Sequence, residues 1–464
     1  MRRRQLAMIG LILSLSGCGW IEEQQRRAAR ARQETDFVTA VGTGNTEAVR
    51  ARLQQDRTLA NAIRRVRGED GDYPAESALT FALHRGQRDM AELLLEQGAD
   101  PNRMDGKDAS PLSVALLAEK DRRALVALLL EKGANPEAAA DSSGATALHQ
   151  AAGSSSFDEE VLALLLAKAS GLGGPDAHGR TPLHSAAGSA NVEAIRLLIA
   201  RGADRNGPTL APRPPYGGSD DIAGATPLAI VARDRQIDAA AALCALGADP
   251  DIEDSTHASA RKVAARVAAE YAAAEAARSA KGAPVSSDVL RHHNMAAFLA
   301  PRGGCDALLA RKRAGEDVPA AEVDRIANES ECETGWGWAC GKAGWAYHRS
   351  EGAREDKAKA LALFRKGCET VVTKSQWCCG MVGIFYMEGI SVPRDPVEGA
   401  AWLSKGCEAD PARADEQACN RLGLAYVRGS GVFKDLARAQ SLFKKACAAG
   451  YKDACANLER HGGS

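Results

Sequence analysis

Twelve cysteines give this 464-residue chain its most versatile chemistry, and eight of them stand in a pattern. Cys332 precedes Cys340 by eight residues, Cys368 precedes Cys379 by eleven, Cys407 precedes Cys419 by twelve, and Cys447 precedes Cys455 by eight. Thiols so placed can be oxidised to disulfides or can hold zinc as thiolates, although zinc modules favour pairs roughly two to four residues apart. The other four follow no such spacing. Cys18 closes an apolar run, Cys244 reads as a buried core thiol, and Cys305 and Cys378 stand unassigned, free or joined to each other.

Catalytic residue types occur only in fragments. Ser259 and Lys262, like Ser441 and Lys444, have the separation at which a lysine can activate a serine for acyl transfer, but both pairs lie in Ala-rich helical patterns without companion motifs. His149 and His184 each follow a threonine by three residues and are read as bonding a turn. His292 and His293 lack partner ligands at metal spacing. Gly174 to Thr181 imitates a phosphate-binding loop with Arg180 in place of lysine, yet no buried strand precedes it. His-Glu-x-x-His, a serine elbow, a Gly-rich dinucleotide loop and paired carboxylates are all absent. No enzyme, no cofactor and no metal site is expected.

The elements that position these residues begin at the N-terminus. Arg2, Arg3 and Arg4 head an apolar run from Leu6 to Ser16, too short to span a bilayer. The exit Leu15-Ser16-Gly17-Cys18 resembles the lipobox of bacterial lipoproteins. That resemblance implies cleavage before Cys18 and acylation of its thiol, and Gly19 in place of an aspartate implies sorting to the outer membrane, facing the periplasm. Residues 19–35 form a polar, Arg-rich tether (Arg26, Arg27, Arg30 and Arg32) that either hugs headgroups or merely clears them; the second is favoured. Lys+Arg total 59 against Asp+Glu 60, so no global field steers the chain to nucleic acid.

Next comes a first repeat. Thr181-Pro182-Leu183-His184 opens a unit that closes with Gly202-Ala203-Asp204. The outline recurs around Leu79, Leu112, Leu148 and Leu228, in steps of 33, 36, 35 and 45 residues, and a degenerate copy spans Phe37 to Leu53. Threonine caps a helix start, proline fits its first turn, and glycine ends the second helix. The pattern resembles ankyrin repeats, which implies helical hairpins stacked into a solenoid over residues 36–304. Within it, the unit between Gly202 and Thr226 carries roughly ten extra residues, rich in proline. This finger, Asn206 to Asp221, offers Leu210, Arg213 and Tyr216 as partner-binding candidates; a tolerated surface insertion is the equal alternative. Ala258 to Ala280 reads as a long helix with Val263, Val267 and Tyr271 on one face.

A second repeat follows a helical linker or cap at 305–330. Cys340-Gly-Lys-Ala-Gly344-Trp-Ala-Tyr347, Cys379-Gly-Met-Val-Gly383-Ile-Phe-Tyr386 and Cys419-Asn-Arg-Leu-Gly423-Leu-Ala-Tyr426 step by 39 and 40 residues. Each is followed by a glycine turn, an aspartate (Asp356, Asp395 or Asp435), an Ala-rich helix and a second cysteine. This resembles Sel-one-like repeats, relatives of the tetratricopeptide repeat, and is closest to their cysteine-rich secreted branch, in which a disulfide pins each hairpin. The pairs implied are Cys332–Cys340, Cys368–Cys379, Cys407–Cys419 and Cys447–Cys455 over residues 331–464. Because only this array has cysteines at disulfide spacing, reductant is expected to loosen it first.

The expected fold is all-α, two consecutive helical-repeat solenoids. The expected function is a membrane-anchored, non-catalytic protein–protein interaction scaffold of the bacterial envelope. Its partners would be another protein and, through lipid at Cys18, the membrane. Some relatives of both resemblances are immunity proteins against periplasm-delivered toxins, and some cysteine-rich Sel-one-like proteins bind or hydrolyse β-lactams; these are the alternatives.

Overall fold

The computed structural model describes residues 2–68, 71–210, 224–254, 256–279, 294–301, 303–370, 375–408 and 414–461. Among them the chain is helical throughout except for one two-stranded sheet and short connections. Contacts divide it into two compact units, Met1–Ala203 with Thr209–Ala223, and Asp204–Pro208 with Gly224–Ser464.

The first unit opens with α1 (Arg2–Gly42), a continuous helix that passes through Cys18 and the tether. Glu22–Arg26 and Glu23–Arg27 pairs, one turn apart at 3.3 and 2.8 Å, support its exposed stretch. Its last turns bury Phe37, Val38 and Val41 against α2 (Thr46–Gln55), whose start is capped by Asn45. The degenerate copy at Phe37 to Leu53 is therefore a real hairpin. Four more follow: α3 (Ala78–His84) with α4 (Arg88–Glu96), α5 (Pro111–Leu116) with α6 (Arg122–Glu131), α7 (Ala147–Ala152) with α8 (Glu159–Lys168), and α9 (Pro182–Gly188) with α10 (Val192–Ala200). Ser77, Ser110, Thr146 and Thr181 cap the first helices, and Gly98, Gly133 and Gly202 end three of the second helices with φ of 94, 92 and 95°.

Two features of this unit were not foreseen. An antiparallel hairpin, β1 (Ile63–Gly68) with β2 (Gly71–Ser77), precedes α3. Asparagine side chains also bracket successive turns: the Asn61 amide donates to the Gly98 carbonyl at 2.8 Å and accepts from the Asp100 N–H at 2.9 Å. Asn102 does the same to Gly133 and Asn135.

The second unit begins with α11 (Pro227–Asp234) and α12 (Ile237–Ala245), followed by α13 (Ala260–Ser279) on α11. The buried face of α13 is Ala260, Val263, Ala264 and Ala268, whereas Tyr271 is 40% exposed. The sequence face was thus placed one step off, because small alanines rather than the bulky Tyr allow the close approach to α11.

Two helices then lead to the second repeat: α14 (Gly304–Arg313), which packs on α12, and α15 (Ala320–Glu333). Cys244 of α12 and Cys305 of α14 are disulfide-bonded, with Cα atoms 5.3 Å apart. This corrects the readings of Cys244 as a thiol and of Cys305 as free or joined to Cys378. A separation of 61 residues carries no spacing signature; only the packing of α14 on α12 brings the two together. Cys378 is the free, buried cysteine among the described residues.

The hairpins of the second array are α16 (Gly337–Arg349) with α17 (Lys357–Glu369), α18 (Gln376–Glu388) with α19 (Pro396–Glu408), and α20 (Glu416–Arg428) with α21 (Leu436–Ala448), closed by α22 (Lys452–His461). Asp356 and Asp435 cap α17 and α21, and each turn aspartate also donates its N–H to the Tyr347, Tyr386 or Tyr426 carbonyl. Phe364, Phe385, Leu403 and Phe443 fill the core between the layers.

Asp415, which caps α20, carries a carboxyl through which the stability of this array is expected to depend on pH. Burial pushes its carboxyl up to about 6, although the N–H groups of Gln417 and Ala418 donate to it. A raised folded-state value means that its contribution is present at acid pH and lost as pH climbs through about 6. Asp415→Asn keeps an acceptor and does not ionise. Its denaturation midpoint relative to wild type is expected to rise between about pH 4 and pH 7; a constant difference would refute the assignment.

Candidate functional site

The histidines that invite a catalytic reading are structural. The Thr146 N–H donates to His149 Nδ1 at 3.1 Å, and His149 Nε2 lies 2.8 Å from the Arg180 carbonyl of the next unit. Both ring nitrogens are therefore occupied, and burial lowers the pKa, which keeps the ring neutral. His184 takes the Thr181 N–H in the same way at 3.2 Å. In the loop at 174–181 the Asp176 carboxylate already accepts the N–H groups of His178 and Arg180, both at 2.9 Å, so that nest is filled by the protein's own anion. Lys262 is engaged with Glu253 and the His257 carbonyl rather than with Ser259, which instead caps α13. Ser441 and Lys444 lie exposed on α21. His292 and His293 lie outside the described residues, and among the described residues no His, Cys, Asp and Glu cluster could hold a metal ion.

The paired cysteines are brought together. Cα separations are 4.5 Å for Cys332–Cys340, 4.9 Å for Cys368–Cys379, 4.8 Å for Cys407–Cys419 and 4.7 Å for Cys447–Cys455, each joining the end of one helix to the next. Their role is to fix hairpin against hairpin.

Exposed clefts remain between the helices. On the first unit a cleft of about 570 Å³ opens between the first helices of two hairpins, lined by Phe81, His84, Arg85, Val114, Leu117 and Lys120. Phe81 lies between the guanidiniums of Arg64 and Arg85, 4.8 and 5.3 Å from its ring. Leu117, on the cleft's edge, is 77% exposed. At the cleft wall, burial pushes the Glu76 carboxyl up, but Lys107 and Arg64 bond it and hold it below the usual range.

Of the finger, residues 206–210 are described, and Arg213 and Tyr216 lie outside the described residues. Leu210 is 55% exposed, and its N–H donates to the Gly179 carbonyl at 2.9 Å. The approach is tight enough to demand glycine: Gly179 has φ +75°, and a Cβ there would sit 2.0 Å from the Leu210 carbonyl oxygen. The base of the finger is thus tied to the preceding unit's turn.

Family models match both arrays. Ankyrin repeats match residues 112–209 and 172–254, a further ankyrin repeat matches 76–106, and the Sel1 repeat matches 339–369, 378–411 and 416–451. No curated protein matches the chain. Among solved structures it is similar to the ankyrin repeat domain of Bcl-3, a member of the IkappaB protein family, at 23% identity, covering 42% of this chain and 82% of that one with a TM-score of 0.35. It is similar to the ankyrin repeat domain of human ASB11 at 22% identity, covering 56% and 96% with a TM-score of 0.37. It is also similar to a Sel1 repeat protein from Oxalobacter formigenes at 23% identity, covering 30% and 98% with a TM-score of 0.25. The chain carries ankyrin repeats followed by Sel1 repeats, and both are interaction modules.

Proposed function

We propose that the protein is a non-catalytic scaffold that binds another protein at the bacterial envelope, where acyl chains on Cys18 hold it. The observation that carries the reading is the two successive repeat arrays, whose buried polar residues close caps and turns while clefts between first helices stay open.

The tether supports the lipid half of the reading. Among the described residues no helix is long and apolar enough to cross a membrane, and the reading assigns attachment to the acyl chains. Three of the four tether arginines have carboxylate partners, Arg26 and Arg27 with Glu22 and Glu23 and Arg30 with Glu34 and Asp56, which lowers the net basic charge offered to headgroups. At 1.5 Å per residue, helix from Gly19 to Asp36 would hold the first hairpin about 27 Å from the anchor. It acts as a spacer.

The finger is the candidate edge for a partner on the ankyrin side. Replacing Leu210 to Tyr216 with a Gly-Ser linker is expected to leave the melting temperature nearly unchanged and to weaken capture of the crosslinked envelope partner by about tenfold or more. Crosslinking in cells followed by mass spectrometry identifies that partner. If wild-type protein crosslinks to no protein in the envelope, the scaffold reading fails. If the loop-swapped protein captures the partner equally well, the finger is only a tolerated insertion.

A further inference from the structure

Within the Sel1 array the first helices of successive hairpins, α16, α18 and α20, pack on one another more extensively than the second helices do. They therefore form its inner layer. Residues five and nine positions after each hairpin cysteine recur at the same register on that layer: Trp345, Ile384 and Leu424, then Arg349, Glu388 and Arg428. Between α18 and α20 this register opens a cleft of about 370 Å³. Its floor is apolar, made by Ile384, Met387, Leu403 and Leu424.

Its rim is cationic. Arg394, Arg421 and Arg428 are exposed around the mouth, and Glu388 is the one lining carboxylate. Glu388 is already bonded to Arg421 at 2.7 Å, and Arg394 uses only its Nε, on the Met387 carbonyl at 3.0 Å. The outer nitrogens of Arg394 and the whole Arg428 guanidinium face outward without a carboxylate among the described residues. One hairpin earlier, Trp345 and Trp377 stand 5.9 Å apart, and the Nδ1 of His348 is shielded from water without a hydrogen-bond partner. Burial and the nearby Lys357 and Arg349 lower its pKa.

We propose that this cleft binds an extended segment of a partner protein that carries a bulky apolar side chain flanked by carboxylates. The apolar side chain fills the floor, and the carboxylates take the paired N–H donors of Arg394 and Arg428, a match of planar fork to planar carboxylate. The proposal rests on the scaffold reading and narrows it to a partner of one chemistry.

The test is fluorescence polarisation with the full chain and a short labelled peptide, two leucines flanked on both sides by glutamates and aspartates. Two controls accompany it: one with lysine for every acid and one with serine for both leucines. The acidic, leucine-bearing probe is expected to bind saturably, and both controls about tenfold or more weaker. Arg394→Glu with Arg428→Glu, both exposed positions, is expected to cost at least about tenfold and to remove most of the salt dependence, with the circular dichroism melt unchanged. Equal binding of the acidic and lysine probes, insensitivity to the arginine variants, or no saturable binding overturns the proposal. Any of these leaves the scaffold reading to the crosslinking experiment, which does not depend on the probe.

Discussion

Cys18→Ser is expected to move the protein from the membrane pellet to the soluble periplasmic or unprocessed fraction and to abolish incorporation of radiolabelled palmitate. The size of the effect follows from the alternatives. A single acyl chain gives only marginal, reversible binding, at about 0.8 kcal/mol per buried methylene, whereas several chains on one residue make anchoring effectively permanent. Among the described residues no helix is long and apolar enough to cross a membrane, and Arg26 and Arg27 each pair with a carboxylate one turn away. The contrasting variant is Arg26→Gln with Arg27→Gln and Arg32→Gln, which removes the exposed tether arginines and is expected to leave the pellet fraction unchanged. Palmitate labelling that survives Cys18→Ser, or release by the arginine variant alone, would transfer the anchor elsewhere.

Much of this architecture was legible because each repeat restates its own rules. Leu79, Leu112, Leu148, Leu183 and Leu228 are buried in equivalent helices, and the threonine or serine before each is its cap. The hairpin cysteines were equally readable, since helix end and helix start are neighbours in the chain. What escaped was non-local or irregular. The β1–β2 hairpin runs through Ile63-Arg-Arg-Val-Arg, which lacks a strand's alternation, and its register shifts between Ile63 and Arg65. The asparagine brackets had a faint signal: Asn102 and Asn206 each stand two residues after the Asp of Gly-Ala-Asp, and the Asn206 side chain takes the Asp249 N–H at 2.9 Å. The groove arginines had a signal only in hindsight of register, because Arg428 is equivalent to Arg349 while Arg394 comes from a turn outside the repeated helix.

The cysteine pair that spacing missed has the largest expected effect on stability. Cys244–Cys305 closes a loop of 61 residues, against 8 to 12 for the hairpin bonds. In the chain-entropy view a loop of that length contributes about 4 kcal/mol and the short loops about 2.5 to 3 each, through restriction of the unfolded chain. Both sulfurs are fully buried, so alanine is the gentler replacement, leaving no hydroxyl without a partner. Cys244→Ala with Cys305→Ala is therefore expected to lower the urea midpoint of the second unit by the equivalent of about 4 kcal/mol. It should also open thermolysin sites between about 224 and 313 while residues 339–461, still pinned, stay resistant. Reductant on wild-type protein should open both regions, so the loosening is not confined to the Sel1 array as cysteine spacing alone suggests. Thiol titration of the unreduced, denatured chain gives the independent check. Beyond Cys18, Cys378 alone is expected to react. Three reactive thiols, or a double variant with an unshifted midpoint, would show that Cys244 and Cys305 are not joined.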